Sequence, residues 1–389
     1  MDTYGLLFGL LNAGLFGGEL DGKTKGELKD TDVQRKVYRA AKTHDIAHLA
    51  SYCLDKTGLS DGETEIGKRL VNEQFMAVYR YENQKYELDR ICETLDREAI
   101  PYVLLKGAVI RELYPEAWMR TSCDIDLLVS PENVDRAKNA LVDGLGYIDK
   151  GKNDHDCQLY SKTDVHLELH FKLIGDDPIS DKSENVLKKA WEHTVAEPGR
   201  EYGRRFDDAM LIYYHILHLA KHLKNGGCGI KPFLDLYYFK GKINMDGAAE
   251  ALLEEGGMLK AYRGALDLAN VYFGGEPHTE VTGALSDFVL EGGVYGNMEN
   301  IVAMRRGGEK NYAFLYALSR IFLPYNKLKY RYPELTEKKW LFLPYQFRRW
   351  IDLVREGRTA SSFNELRING GTTKEQIDVA TGIWRDLGL

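Results

Sequence analysis

Two aspartates, Asp124 and Asp126, stand one residue apart in the apolar run DIDLLV. If the run is a strand, its side chains alternate between faces. Both carboxylates then project from one face, and Ile125, Leu127 and Val129 turn towards a core. Aspartate is disfavoured in strands, and two on one face repel each other unless a cation neutralises them. Mg²⁺ favours oxygen ligands, usually one or two carboxylates plus substrate phosphate oxygens. A pair at this spacing can bridge two such ions, the arrangement used for in-line phosphoryl or nucleotidyl transfer. The plain alternative is a solvated edge strand with an acidic face. A third acid is expected on a neighbouring strand, and DVHLELHFKL supplies one. There Val165, Leu167, Leu169 and Phe171 form an apolar face, and His166, Glu168 and His170 form the polar one. Glu168 would complete the metal site or act as general base on an incoming hydroxyl. Asp164, at the strand's start, is the weaker choice, and an amphipathic strand with mixed polar residues would show the same pattern.

Upstream, the short apolar run Tyr102–Leu105 ends at Lys106-Gly107. A glycine there lets backbone amides approach a phosphate closely. Lys106 would add charge to a triphosphate, or be a surface lysine in a turn. Farther on, His215, His218 and His222 share a helical face and, with Asp235, could form a metal site; histidines so placed also serve as core or interface residues. Lys231 and Asp235 lie near a helix start whose dipole favours anions, so Lys231 would reach phosphate or act as a cap or surface residue. The stretch FLPYNKLKYRYPELTEKKWLFLPYQFRRW interleaves aromatics with Lys and Arg, which suits base stacking or the packing of an amphipathic helix.

Taken together, LLKG…YPEAWMRTSCDIDLLV…LELHFKL resembles the polymerase-β-like nucleotidyltransferase superfamily, with its glycine turn, Asp-x-Asp strand and later third acid. More narrowly, it is similar to a large bacterial nucleotidyltransferase family with Leu-Lys-Gly, Arg-x-x-x-Asp-Ile-Asp-Leu-Leu-Val and acid-Leu-His-aromatic motifs. The resemblance implies an α+β fold, a small mixed β-sheet core flanked by N-terminal and C-terminal helical regions. It implies that Asp124 and Asp126 are the metal-binding pair, that Glu168 is the third catalytic acid, and that Lys106 and Gly107 form the phosphate turn. Arg120 matches a position where the family tends to carry arginine, touching phosphate or bracing the acidic strand. The implied chemistry is transfer of a nucleoside monophosphate from an NTP such as ATP, with two Mg²⁺ ions, to a hydroxyl-type acceptor. That acceptor would be a small molecule, an RNA end or a protein. One departure is the turn itself, Gly107-Ala108 instead of Gly-Ser or Gly-Gly. It leaves room for a catalytically silent module that binds nucleotide or a partner. A reading from other chemistry is a metal-dependent phosphohydrolase centred on His215, His218, His222 and Asp235.

The elements that must position these residues follow from periodicity and punctuation. The first hundred residues read as helical, with Ile66–Glu98 as one long helix or two in tandem. From Pro101 the order is a strand to Leu105, a brief helix Val109–Leu113 and the strand Asp124–Val129. A helix capped by Ser130 with Pro131 at its first position follows. Strands are then expected at Tyr147–Lys150, Cys157–Ser161 and Val165–Phe171. Helices are expected at Asp207–Asn225, Pro232–Phe239, Met245–Glu255, Met258–Phe273, Glu280–Glu291, Asn311–Phe322, Lys338–Glu356 and Thr373–Leu387, several punctuated by glycine pairs. The expected organisation is a helical region 1–99, an α/β core 100–205 and a helical domain 206–389.

Composition sets the outer limits. At 389 residues and 44% hydrophobic, the chain can bury a sizeable core, and a net charge of −7 argues against broad, non-specific nucleic-acid binding. Its five cysteines are scattered without a CxxC pair, which speaks against a zinc ribbon or disulfide framework and for reduced thiols in the cytoplasm. The apolar stretch Tyr4–Phe16 is short and preceded by Asp2, and no later run approaches the ~20 residues of a membrane span, so no membrane partner is expected.

Overall fold

The computed structural model describes residues 2–389 apart from 174, 176–178, 310–312 and 358. Four helices, Thr3–Phe16, Gly22–Leu28, Thr31–Thr43 and Ala47–Lys56, lead to a single long helix, Glu65–Arg97. Asp2, Asp21, Asp30 and Thr64 cap four of the five, each side-chain oxygen accepting from backbone N–H groups of the first turn. The long helix spans the expected range without a break. Ala99, at φ 50°, turns the chain out of it before Pro101.

The sheet has seven strands: β1 Tyr102–Leu104, β2 Asp124–Val129, β3 Ile148–Lys152, β4 Asp156–Tyr160, β5 His166–His170, β6 Thr194–Ala196 and β7 Gly203–Phe206. Their spatial order is β3-β4-β5-β2-β1-β7-β6. β2 runs parallel to β5 and antiparallel to β1, and β1 runs parallel to β7, so the sheet is mixed and the fold is α+β, as expected. Ile125, Leu127, Val129, Leu167 and Leu169 are buried on one face against the helices Glu65–Arg97 and Val134–Leu145. Burial of each such side chain is worth roughly 1.5–3 kcal/mol. A one-residue slip of β2 would drive Asp124 and Asp126 into that core, so the apolar residues fix where the carboxylates point.

A second core joins the N-terminal helices (Leu7, Leu10, Leu11) to the helices after the sheet (Tyr213, Phe233, Phe273) and to the last one (Ile383, Leu387). The helices on both sides of the sheet in sequence therefore pack as one body. Asp208–Lys224 faces the polar side of the sheet, Gly247–Glu255 and Leu259–Gly274 pack against it, and Lys231–Phe239 and Glu280–Gly292 pack against Leu259–Gly274. All five cysteines are free, and no helix among the described residues is long and apolar enough to cross a membrane.

Several local expectations need correction. The helix after β2 begins at Val134 with Asn133 at its N-cap position, not at Ser130 and Pro131. Those two residues form a turn closed by Asn133 N–H to Ser130 O at 2.9 Å, with the Ser130 hydroxyl accepting from Asn133 Nδ2 at 3.0 Å. The brief helix starts earlier, at Gly107, and ends as a 3₁₀ turn, Arg111–Leu113. β6 and β7 are too short to show a period-2 pattern and have no counterpart in the sequence reading. The expected helix Asn311–Phe322 is seen as Ala313–Ile321, its first two residues lying outside the described ones. The helix expected from Lys338 begins at Phe342, because Pro344 must sit within the first turn, where a missing N–H costs no hydrogen bond. That helix does not close a core with its apolar stripe. Leu343, Phe347, Ile351 and Val354 are exposed, whereas Phe342 and Tyr345 of the same helix pack against a small cluster of Leu328, Tyr332 and Leu335.

Candidate active site

The parallel register of β2 and β5 sets Asp126 opposite Glu168 and Asp124 opposite His166. On the next strand Gln158 lies opposite Glu168, and Asp156 opposite His170. Paired residues share a face, so these side chains form one polar surface on the side of the sheet away from the apolar core. Tyr214, His218, Lys221 and His222 of the helix Asp208–Lys224 face it across a cleft of about 490 Å³. Asp124, Asp126, Glu168, Lys106, Gly107, Arg120 and Lys231 all line this cleft. Glu168 is shared between two potential ligand groups. It offers an oxygen within 4.8 Å of donor atoms from Asp124 and His166, and likewise from Asp126 and His170.

The two aspartates differ electrostatically. Lys106 Nζ lies 2.9 Å from Asp126 Oδ1, and His170 Nε2 lies 2.8 Å from the same oxygen and 3.4 Å from Glu168 Oε2. Burial pushes the Asp126 carboxyl up, but Lys106 and His170 outweigh it and hold Asp126 far below the ordinary range. The His170 hydrogen bond likewise lowers Glu168 against its burial. Asp124 has no ion pair among the described residues. Its burial, reinforced by the charge of Asp126, pushes it up to about 6. Negative charge at Asp124 is therefore incompletely compensated by the protein. The buried Nε2 of His166 beside it has no hydrogen-bond partner. Three carboxylates of which one lacks a cation suit a hard divalent ion such as Mg²⁺.

The turn leading into the site has its unusual backbone one residue before the glycine. The unusual backbone belongs to Lys106, at φ 42° and ψ −113°, a conformation that costs a non-glycine residue about 1–3 kcal/mol. Gly107 lets Ser122 come close, since a Cβ there would stand 3.1 Å from the Ser122 Cβ and Oγ, tighter than ordinary van der Waals contact. Arg111 ties the turn together, its Nε donating to Gly107 O at 2.6 Å and its Nη2 to Ser122 Oγ at 3.1 Å and Gln84 Oε1 at 3.2 Å.

Arg120 and Lys231 lie deeper, and their charges have protein partners. Arg120 forms an ion pair with the fully buried Asp235, Nη2 to Oδ2 at 2.9 Å, which also accepts from Tyr114 Oη at 2.6 Å. Lys231 Nζ donates to Asp45 Oδ2 at 2.5 Å and to the carbonyl and hydroxyl of Thr121 at 3.1 and 3.0 Å. These contacts join the loop before β2 to the helix Lys231–Phe239 and to the N-terminal helices. The histidine set with Asp235 does not assemble. His215 Nε2 contacts Pro232 O, His218 and His222 contact each other, and Asp235 is taken by Arg120 and Tyr114. No ligand group among the described residues contains any of the four, which removes the basis for the phosphohydrolase reading.

Sequence reading missed the parts that Asp45, Tyr114, Arg111 and His170 play. His170 alone left a signal, as the last member of the alternating polar face of β5. Asp45 and Tyr114 are brought in by tertiary packing from distant elements and carry no local signature. A family model described as an uncharacterised nucleotidyltransferase matches residues 30–274, a span containing the cleft acids, the Lys106 turn and the helix Asp208–Lys224. No curated protein matches the chain.

Proposed function

The chain belongs to this uncharacterised nucleotidyltransferase family, and we propose that it transfers a nucleoside monophosphate from an NTP to a hydroxyl-type acceptor in a Mg²⁺-dependent reaction. The observation that carries the reading is the in-register placement of Asp124, Asp126 and Glu168 on adjacent parallel strands, all facing one cleft. When bound, Mg²⁺ would neutralise charge on the triphosphate and stabilise the charge developing in transfer, with the three carboxylates as its holders. Lys106, at the head of the turn, provides positive charge where the triphosphate would lie. Asp124, with a raised proton affinity and no ion pair among the described residues, would hold the proton of an acceptor hydroxyl or ligate the ion. His170 orients Asp126 and Glu168 through its Nε2. The helix Asp208–Lys224 closes the opposite wall and limits water around the reacting phosphorus.

A second reading, a silent nucleotide-binding module, is favoured by the Lys106–Asp126 ion pair together with Ala108. One experiment separates the two. The protein is incubated with labelled NTPs, Mg²⁺ and cell extract, beside Asp124→Asn and Glu168→Gln. Transfer predicts a labelled acceptor with wild-type protein and none with either variant. Metal-independent NTP binding without any labelled product would establish the silent module instead.

A further inference from the structure

Beyond the three carboxylates, the cleft carries a second, chemically different donor set at its β4–β5 end. His155 lies in the turn just before β4, and its carbonyl accepts from the backbone N–H groups of Phe171 at 2.9 Å and Lys172 at 3.2 Å. That pair of bonds clamps the turn against the end of β5. The register sets Asp156 beside His170 on the same face, and the rings of His155 and His170 lie 5.8 Å apart. His155, Asp156 and His170 each offer one donor atom, all within 4.8 Å of one another.

The hydrogen bonding around this set leaves one donor atom of each residue without a partner outside the set. His155 Nδ1 is held by Asp154 Oδ1 at 2.7 Å, so Nε2 faces Asp156 Oδ2 at 3.0 Å. Asp156 Oδ1 is occupied by Asn153 Nδ2 at 3.1 Å and Gln158 Nε2 at 3.4 Å. His170 uses Nε2 for Asp126 and Glu168, and its Nδ1, in a side chain only 4% exposed, has no partner. A buried polar atom left unsatisfied costs about 1–3 kcal/mol. A metal-binding histidine almost always gives its other ring nitrogen to a carboxylate or carbonyl, which fixes its tautomer. Both histidines here have that carboxylate: Asp154 behind His155, and Asp126 behind His170.

We propose that His155 Nε2, Asp156 Oδ2 and His170 Nδ1 bind a divalent transition metal of the Zn²⁺ class, separate from the ion held by the three carboxylates. Two nitrogens and one oxygen suit a borderline ion better than Mg²⁺. Donors on a tetrahedral Zn²⁺ lie about 3.3 Å apart, given metal–ligand distances near 2.0–2.1 Å. The 3.0 Å between His155 Nε2 and Asp156 Oδ2 therefore needs only tenths of an ångström of adjustment. The fourth position opens on the cleft, where these three residues form part of the lining. The metal displaces the hydrogen now shared between Nε2 and Oδ2, which leaves as a proton. His170 then joins the two sites. With Nδ1 on the metal it presents Nε2–H to Asp126, and it acts as a positioning residue for that aspartate.

The inference stands independently of nucleotidyl transfer and is tested by binding. The full chain, stripped of metal and kept in excess Mg²⁺, is titrated with Co²⁺, whose visible absorption is intense in four- or five-coordinate nitrogen-containing sites. Wild-type protein is expected to take up one equivalent with that spectrum, and Asp124→Asn to do the same. His155→Ala and the isosteric Asp156→Asn are expected to lose at least tenfold in affinity and most of the absorption. Circular dichroism of each variant, with a Zn²⁺-induced rise in melting temperature seen only for wild type and Asp124→Asn, separates lost binding from lost fold. Absence of uptake by wild type overturns the assignment. So does equal uptake by Asp156→Asn, or uptake that disappears with Asp124→Asn alone.

Discussion

Replacing Asp126 by asparagine perturbs two quantities that can be measured apart. The carboxylate is 4% exposed and is the counter-charge of Lys106, whose side chain is 20% exposed. Removing one partner of a buried ion pair typically costs 3–5 kcal/mol, because the other charge is left in a poorly solvated place. Asp124 and Glu168 remain nearby to favour the ammonium, so we expect the lower end, about 3 kcal/mol. Replacing both partners, Lys106→Met with Asp126→Asn, removes the stranded charge and should return stability to within about 1 kcal/mol of wild type. Transfer activity follows a different rule. One of the three carboxylates proposed to hold the metal is gone in both variants, and losing several kcal/mol of transition-state stabilisation would slow the proposed transfer by about a thousandfold. Urea unfolding in chelator, run beside label transfer from an NTP in Mg²⁺, reads both effects. A double variant no more stable than Asp126→Asn refutes the ion-pair argument. Undiminished transfer by either variant refutes the metal-holding role.

Two further outcomes follow from the buried polar contacts. Asp235→Asn strands Arg120, 14% exposed, and weakens the Tyr114 contact, so unfolding free energy should fall by about 3–5 kcal/mol; a loss below about 1 kcal/mol contradicts the arrangement. His44 and His48 are held neutral by burial down to about 4, whereas a free histidine takes up its proton near 6.5. The unfolded chain thus binds more protons between these values. Stability is lost as pH falls through that window, by about 1.4 kcal/mol per pH unit for each histidine. Melting temperatures at pH 7 and pH 5 test this, and equal values would contradict it.

How far the sequence revealed this molecule depends on whether the deciding physics was local. The alternation in Asp124–Val129 and His166–His170 is enforced by the pleat of a strand, so the facing of Asp124, Asp126 and Glu168 could be read directly. The parallel pairing that sets Asp126 opposite Glu168 could not, because register between distant strands is chosen by the shared core of Ile125, Leu127, Leu167 and Leu169. Lys106 could be read as a charge for a triphosphate or as a surface lysine in a turn, but its bond to Asp126 depends on a positive-φ turn braced by Arg111. Histidine spacing at i, i+3 and i+7 predicted a shared helical face. It said little about what lies opposite, and packing committed Asp235 to Arg120 before any metal set could form. The stripe of Leu343, Phe347, Ile351 and Val354 is amphipathic by spacing, but spacing alone does not say whether a face is covered.

The core that links the first helix to the last has a practical corollary for anyone trimming this chain. The span matched by the family model begins at 30 and stops at 274, yet Leu7, Leu10 and Leu11 on one side of it and Ile383 and Leu387 on the other are packed inside the same interior. A fragment cut to that span would present the seats of these side chains to water as raw apolar surface. Such a piece is suited to aggregation rather than to assays, however complete its set of acids.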